Sequence, residues 1–272
     1  MSSTAVPTAS SGTMRDRVPA QALIEQVLLR QAAARPRSAV ERMVGRDPIE
    51  PDARPWYVGA TGERIVAARL ATLPAGWTVL HSLPVGRAGA DIDHLVVGPG
   101  GVFTINTKHH VDASVWVAGR TVLVAGRRTS MIAKAETEAR RVDRIVAGVL
   151  TDPPAVRPIV AVVGAKRLTV RRAPHVVHVL RAEHLRRFLR SQPQRLSPAE
   201  VNTVVALVSA PETWQPAAEA GPELLLAYGR LSAEVRAAAR VRLGWAFALV
   251  GLTSAASAAI VLPGLLGVLT GF

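Results

Sequence analysis

Cysteine is absent from the 272 residues, which excludes disulfides, thiol catalysis and cysteine-ligated zinc. The absence permits a reducing cytosol without proving one. Acidic side chains are scarce, 20 against 33 Lys and Arg, so the formal net charge is +13 and the pI about 11.5. A surface of that sign attracts polyanions, either nucleic acid or anionic lipid headgroups. Coding bias in an Ala- and Arg-rich chain with only 4% aromatic residues produces the same excess. Met1 to Met14 is rich in Ser, Thr, Ala and Pro and lacks a continuous apolar core of signal-peptide length, so it reads as a disordered start. No internal repeat is evident.

Against this background one stretch concentrates polar chemistry in strand-like sequence. Gly89 to His110 reads GADIDHLVVGPGGVFTINTKHH. Ile92, Leu95, Val96 and Val97 favour an extended chain over Asp91–Val97, Gly98-Pro99-Gly100-Gly101 makes a turn, and Val102–Lys108 is a second strand. With a side-chain period of two, Asp91 and Asp93 share one face of the first strand. Thr104, Asn106 and Lys108 share one face of the second. If the two faces coincide, carboxylates, an amide and a lysine gather in a sheet that otherwise reads as buried. Such groups are rarely placed there without a partner or a metal. Carboxylate and amide oxygens suit a hard cation such as Mg²⁺, and a lysine steadies negative charge developing near an attacking water.

The flanking sequence alternates helix and strand, which places the body in the α/β or α+β class. Helical character covers Pro19–Ala34, and a short helix is expected at Ala39–Val44 within an Arg- and Pro-rich linker. Trp56–Leu73 is an amphipathic helix on whose apolar side Glu63 falls with Val66, Ala67 and Leu70. A carboxylate there calls for a metal, a cation or a cap partner, although the helix dipole alone also favours glutamate in a first turn. Trp77–Val85 reads as a strand, Ser114–Val117 and Arg120–Ala125 as a hairpin, and Ser130–Leu150 as an amphipathic helix with Ala135, Ala139 and Val142 on one face. Glu136, Glu138, Arg140, Arg141 and Arg144 are assigned to its solvated face, with Glu136–Arg140 as an i, i+4 pair. Arg157–Gly164 and His175–Leu180 are further strands with Arg171-Arg172 in the loop between them. Helices follow at Ala182–Ser191 and from Ser197, which opens a capping box with Glu200. His109 and His110 point to opposite sides of an extended chain and are poorly placed to chelate one metal together.

Several of these motifs together resemble the NERD (nuclease-related) domain, a branch of the PD-(D/E)XK restriction-endonuclease-like fold. They are Gly59-Ala60-Thr61-Gly62-Glu63 opening a helix, Ile92-Asp93-His94 with Val96-Val97-Gly98-Pro99, then Gly101-Val102-Phe103 and Thr107-Lys108. The resemblance covers roughly residues 55–165 and implies a mixed central sheet flanked by helices. It also implies metal-dependent hydrolysis of phosphodiester bonds in nucleic acid, DNA more than RNA, with Mg²⁺ or Mn²⁺. In such nucleases a helix glutamate, a strand aspartate and an acid-x-lysine pair surround the metal. Glu63, Asp93 and Lys108 match three of those roles. The acid of acid-x-lysine is Asn106 here, which can offer an oxygen to the metal but no negative charge; Asp91 can compensate as a further ligand. The alternative is a catalytically impaired module of the same fold that binds nucleic acid or a partner.

Leu243 to Phe272 contains no Asp, Glu, Lys or Arg. Leu243–Leu262 as a helix is about 30 Å long, enough for a bilayer core, before a break at Pro263-Gly264. Arg236, Arg240 and Arg242 precede it and nothing basic follows, so a single-pass protein of the cell membrane is expected, with its main domain cytoplasmic and Trp245 at the interface. The expected organisation is an N-terminal extension over 1–54, a nuclease-like core over 55–165, an α/β extension and linker over 166–221, a helix over 222–242 and a membrane segment over 243–263.

Overall fold

The computed structural model describes residues 13–85, 91–216 and 221–269; the side chains of 252 and 255–269 lie outside the description. The expected disordered start over Met1–Met14 falls almost entirely outside the described residues. The chain divides into two units, Met1–Val27 with Pro55–Gly221, and Leu28–Arg54 with Pro222–Phe272.

In the first unit, α1 (Gln21–Gln31) leads by way of the second unit to α3 (Arg54–Leu70) and then to β1 (Thr78–Pro84). The expected hairpin follows as β2 (Asp91–Gly98) and β3 (Gly101–His109), paired antiparallel with His94 opposite Ile105 and Gly98 opposite Gly101. Gly101 has φ of +117°, a conformation that a side chain would strain, which explains glycine at the end of the turn. β4 (Ser114–Ala118), β5 (Thr121–Val124) and β6 (Arg127–Thr129) precede α4 (Met131–Val146); β7 (Arg157–Val163), β8 (Arg167–Arg172) and β9 (His178–Arg181) come next. α5 (Leu185–Arg190) and α6 (Pro198–Ser209) complete the unit, the latter capped by Ser197 and Glu200 as the sequence indicates.

Two sheets form. The larger has the order β1-β2-β3-β7-β9, antiparallel through β3 and parallel beyond it, and the smaller has the order β6-β5-β4-β8. The fold is therefore mixed α+β, with a mixed central sheet flanked by helices. On one face Val66 and Leu70 of α3 and Leu185 and Leu189 of α5 pack on Val96, Phe103 and Ile105. On the other, Ala139 and Val142 of α4 and Val201 and Val204 of α6 pack on Leu95 and Val97. The smaller sheet seats Val115, Val117 and Val122 on Met131, Ile132 and Ala135 at the start of α4. Two strands differ from expectation. Arg167–Arg172 is β8, not a loop: its outer arginines face water at an edge while Leu168 pairs beside Val115. β6 is only three residues long and carries no alternation to read.

In the second unit, α2 (Ala39–Met43) has a capping box of Ser38 and Glu41 and lies beside α7 (Pro222–Leu269). Arg37 pairs with Glu234 at 3.0 Å, Arg242 donates to the Gly45 carbonyl at 2.6 Å, and Trp245 Nε1 donates to the Met43 carbonyl at 2.9 Å. The membrane segment expected at 243–263 is not supported: among the described residues no helix is long and apolar enough to cross a membrane. The described apolar run begins directly after Arg240 and Arg242 and is punctuated by Gly244, Gly251, Thr253 and Ser254 before the side-chain description ends. Nor does Pro263-Gly264 break the helix, which continues to Leu269.

Candidate functional site

The site lies where the β2–β3 ladder ends. The last paired residues are His94 and Ile105. One step further, where Asp93 and Asn106 are opposite in register, the Asp93 carboxylate accepts the Thr107 backbone N–H at 2.6 Å in place of a main-chain bond. Asp93 and Asn106 are both buried and face the side covered by α4, so the polar faces of the two strands do coincide.

The α4 side supplies a residue that the sequence reading assigned to solvent. Glu138 is buried, and Asn106 Nδ2 donates to its two carboxylate oxygens at 2.9 and 3.0 Å. Lys134, one turn earlier, reaches Glu138 at 3.8 Å. Glu136 is buried too, held by Arg120 at 2.7 Å and more loosely by Arg140 at 3.8 Å. The spacing of Glu138 from Ala135 and Val142, three and four residues, already placed it on the apolar stripe. A second overlooked signal is the choice of cation. Only three lysines occur in the chain, and Lys108 and Lys134 both act on this cluster. A lysine offers a compact, mobile charge where arginine offers a fixed fork.

Glu63 comes from the opposite face, on α3. Its position depends on Gly62, where a Cβ would come within 2.6 Å of His109 Cβ. Glycine lets α3 press on the end of β3, and His109 Nδ1 donates to the Val58 carbonyl at 2.8 Å across that contact. His109 is thus a strut between helix and strand. His110 is half-buried, and its imidazole pKa is lowered by burial and by the charges of Lys108 and His109.

The electrostatics are those of crowded acids. Burial, then the charges of Asp93 and Asp91, hold the Glu63 carboxyl well above the usual range, against the opposing pull of Lys108 and Lys134. Burial and Asp93 push Asp91 up to about 7, and the same two causes push Glu138 up to about 7. Asp93 is also raised by burial, partly offset by Lys108 and by the Thr107 N–H. Lys108 is half-buried and donates to the Thr107 carbonyl at 3.2 Å.

The donor set fits a hard divalent cation. Glu63 Oε2, Asp91 Oδ2 and Asn106 Oδ1 are buried oxygens without a hydrogen-bond partner among the described residues. A cation would also relieve the repulsion that raises the carboxyls. Among the described residues no group of three His, Asp or Glu side chains makes a ready-made metal cluster. The fit is therefore to a Mg²⁺-like ion that takes one or two carboxylates and completes its shell with amide, water and substrate oxygens.

Residues 58–163 match the family model of the nuclease-related domain, NERD. The chain carries a nuclease-related domain. No curated protein and no solved structure matches the chain. The matched stretch of the NERD domain runs from the start of the α3 motif to the end of β7, so it includes Glu63, Asp91, Asp93, Asn106, Lys108, Lys134 and Glu138.

Proposed function

We propose that the NERD domain is a metal-dependent nuclease of the PD-(D/E)XK, restriction-endonuclease-like type, which hydrolyses phosphodiester bonds in nucleic acid. The observation that carries this reading is the paired hydrogen bond from Asn106 to Glu138. The position that lacks an acid on β3 has one delivered from α4, held in place by the amide that replaced it.

In this reading Asp93, Glu138 and the Asn106 amide oxygen hold Mg²⁺ or Mn²⁺, with Asp91 and Glu63 as further oxygen donors. When bound there, such an ion would supply polarisation of the scissile phosphate and a lowered pKa for a water. The chain's own residues do the rest. The Thr107 N–H fixes Asp93. Asn106 orients Glu138 and leaves its own oxygen free. Lys108 Nζ, which donates to the Thr107 carbonyl, turns to the attacking water or to the oxygen on which negative charge develops. Water oxygen bonds to phosphorus as the bond to the leaving oxygen breaks. Glu63, whose carboxylate is made more basic by burial and by the charges of Asp93 and Asp91, accepts the proton lost by the water.

A binding module without cleavage is the second reading, favoured by the neutral Asn106 and by the lack of a ready-made three-acid cluster among the described residues. Incubating the full chain with plasmid, linear DNA and RNA separates the two. Cutting that needs Mg²⁺ or Mn²⁺, stops with chelator and is lost in Asp93→Ala and Lys108→Ala supports the nuclease. Binding by folded protein with no cutting of any substrate supports the module.

A further inference from the structure

The smaller sheet has an outer face that the nuclease site does not use. Its inner residues, Val115, Val117 and Val122, are buried on α4, so the intervening residues face outward. Register places Arg128, Leu123, Trp116 and Thr169 in one line across the four strands. Arg167 lies opposite Ser114 on one side of that line, and Arg172 lies opposite Ala118 on the other. Trp116 is 37% exposed on this face.

The charge on this face has one sign. Residues 113–130 and 164–172 contain Arg120, Arg127, Arg128, Lys166, Arg167, Arg171 and Arg172, and no Asp or Glu. Arg120 is committed to Glu136; the other six are exposed and form no ion pair with a described residue. Arg167 and Arg172 flank Trp116 opposite Ser114 and Ala118, which are four residues apart on β4, roughly 13 Å. An indole between two guanidinium groups offers a stacking surface with backbone-binding charge on either side.

We infer that the outer face of the smaller sheet binds single-stranded nucleic acid, with Trp116 stacking on an unpaired base and Arg128, Arg167 and Arg172 meeting the backbone. This rests on the nuclease reading for its link to catalysis, since it names that site's substrate class. A flat basic sheet face with one aromatic platform suits single strands because a duplex hides its base faces in the stack. A second copy of this chain would meet the face with like charge. The Arg120–Glu136 pair ties the β4–β5 turn to α4, the helix that carries Glu138, so strand binding and the acid cluster share one support.

The test uses the full chain in chelator, where no cutting occurs, and a short fluorescent oligo(dT) followed by anisotropy. The same length of duplex and phosphatidylglycerol vesicles serve as competitors. The expected result is tighter binding of oligo(dT) than of duplex, weakened roughly ten-fold or more by Trp116→Ala and largely kept by Trp116→Phe. In the Arg167→Gln, Arg172→Gln double variant the slope of log affinity against log salt drops by roughly 1.4, the share of two phosphates. Binding is read in chelator and cleavage in Mg²⁺ on the same protein, so a failure of cleavage is read separately from a failure of this face. Unchanged binding by Trp116→Ala, preference for duplex, or binding of vesicles without oligo(dT) overturns the inference.

Discussion

Asn106 on β3 donates both of its amide hydrogen bonds to the two oxygens of Glu138 on α4, at 2.9 and 3.0 Å, and both residues are buried. A neutral side chain on the strand thereby fixes a charged one on the helix. The pairing also leaves Asn106 Oδ1 without a partner, which is costly in a core unless something else takes that oxygen. A carboxylate from the helix is thereby held beside the neutral residue of the strand.

Stability of the metal-free protein is expected to fall as pH rises from about 4 towards about 7. Asp91 and Glu138 are each pushed up to about 7, chiefly by burial. In the unfolded chain they titrate near 4. Between those values the folded state binds more protons than the unfolded state, so this contribution is complete at low pH and lost as pH rises through about 7. Melting temperature measured in chelator should drop between about pH 4.5 and 7 and level off above that, and Mg²⁺ or Mn²⁺ should restore more of it at the upper end. The Asp91→Asn, Glu138→Gln variant should show a flatter profile. A wild-type profile as flat as the variant's would show that these carboxyls do not carry raised values.

The pair His81 and His94 works in the opposite sense and at lower pH. Their Nδ1 atoms are 2.8 Å apart across β1 and β2, so one ring donates and the other accepts. Burial pushes His81 down to about 4 and, with the neighbouring His81, holds His94 well below its ordinary value. Both rings are neutral when folded and protonate near 6.5 when unfolded, so the stability they share is present above that pH and lost as pH falls. Ring NMR signals of both residues should stay in the neutral form down to about pH 5. Titration of either near 6.5 in folded protein would contradict the pairing.

Gly62→Ala should destabilise the fold by about 1–3 kcal/mol, because the new methyl meets His109 Cβ at 2.6 Å and the helix must shift. Urea denaturation reads the cost. His109→Ala should not rescue it, since the Cβ remains, whereas His109→Gly should recover part of the loss. Full stability in Gly62→Ala would mean that α3 does not depend on this close approach to place Glu63.

The hairpin was legible because alternation with a period of two survives in a half-buried strand, so Asp93 and Asn106 could be put on one face from the sequence. Glu63 was legible because helical spacing put it among Val66, Ala67 and Leu70. Glu138 obeys the same spacing, but at the border of the α4 stripe its charge read as solvated, and only the sheet beneath shows what it faces. Arg171-Arg172 read as a loop for a related reason: an edge strand with an outer face of arginine lacks the alternation of a covered one. The C-terminal run was read as a span from its lack of charge, its length and the arginines before it, and among the described residues no helix is long and apolar enough to cross a membrane.

The most direct measurement is the metal-dependent cleavage rate of Glu138→Gln beside the wild type, in Mg²⁺ and in Mn²⁺, with circular dichroism to establish equal folding. Glutamine keeps the volume but cannot supply the carboxylate, so the rate should fall about a hundred-fold or more. The Asn106→Glu, Glu138→Gln variant, which returns an acid to β3, should recover part of it. Wild-type cleavage that persists undiminished in folded Glu138→Gln would contradict the claim that α4 delivers the missing acid.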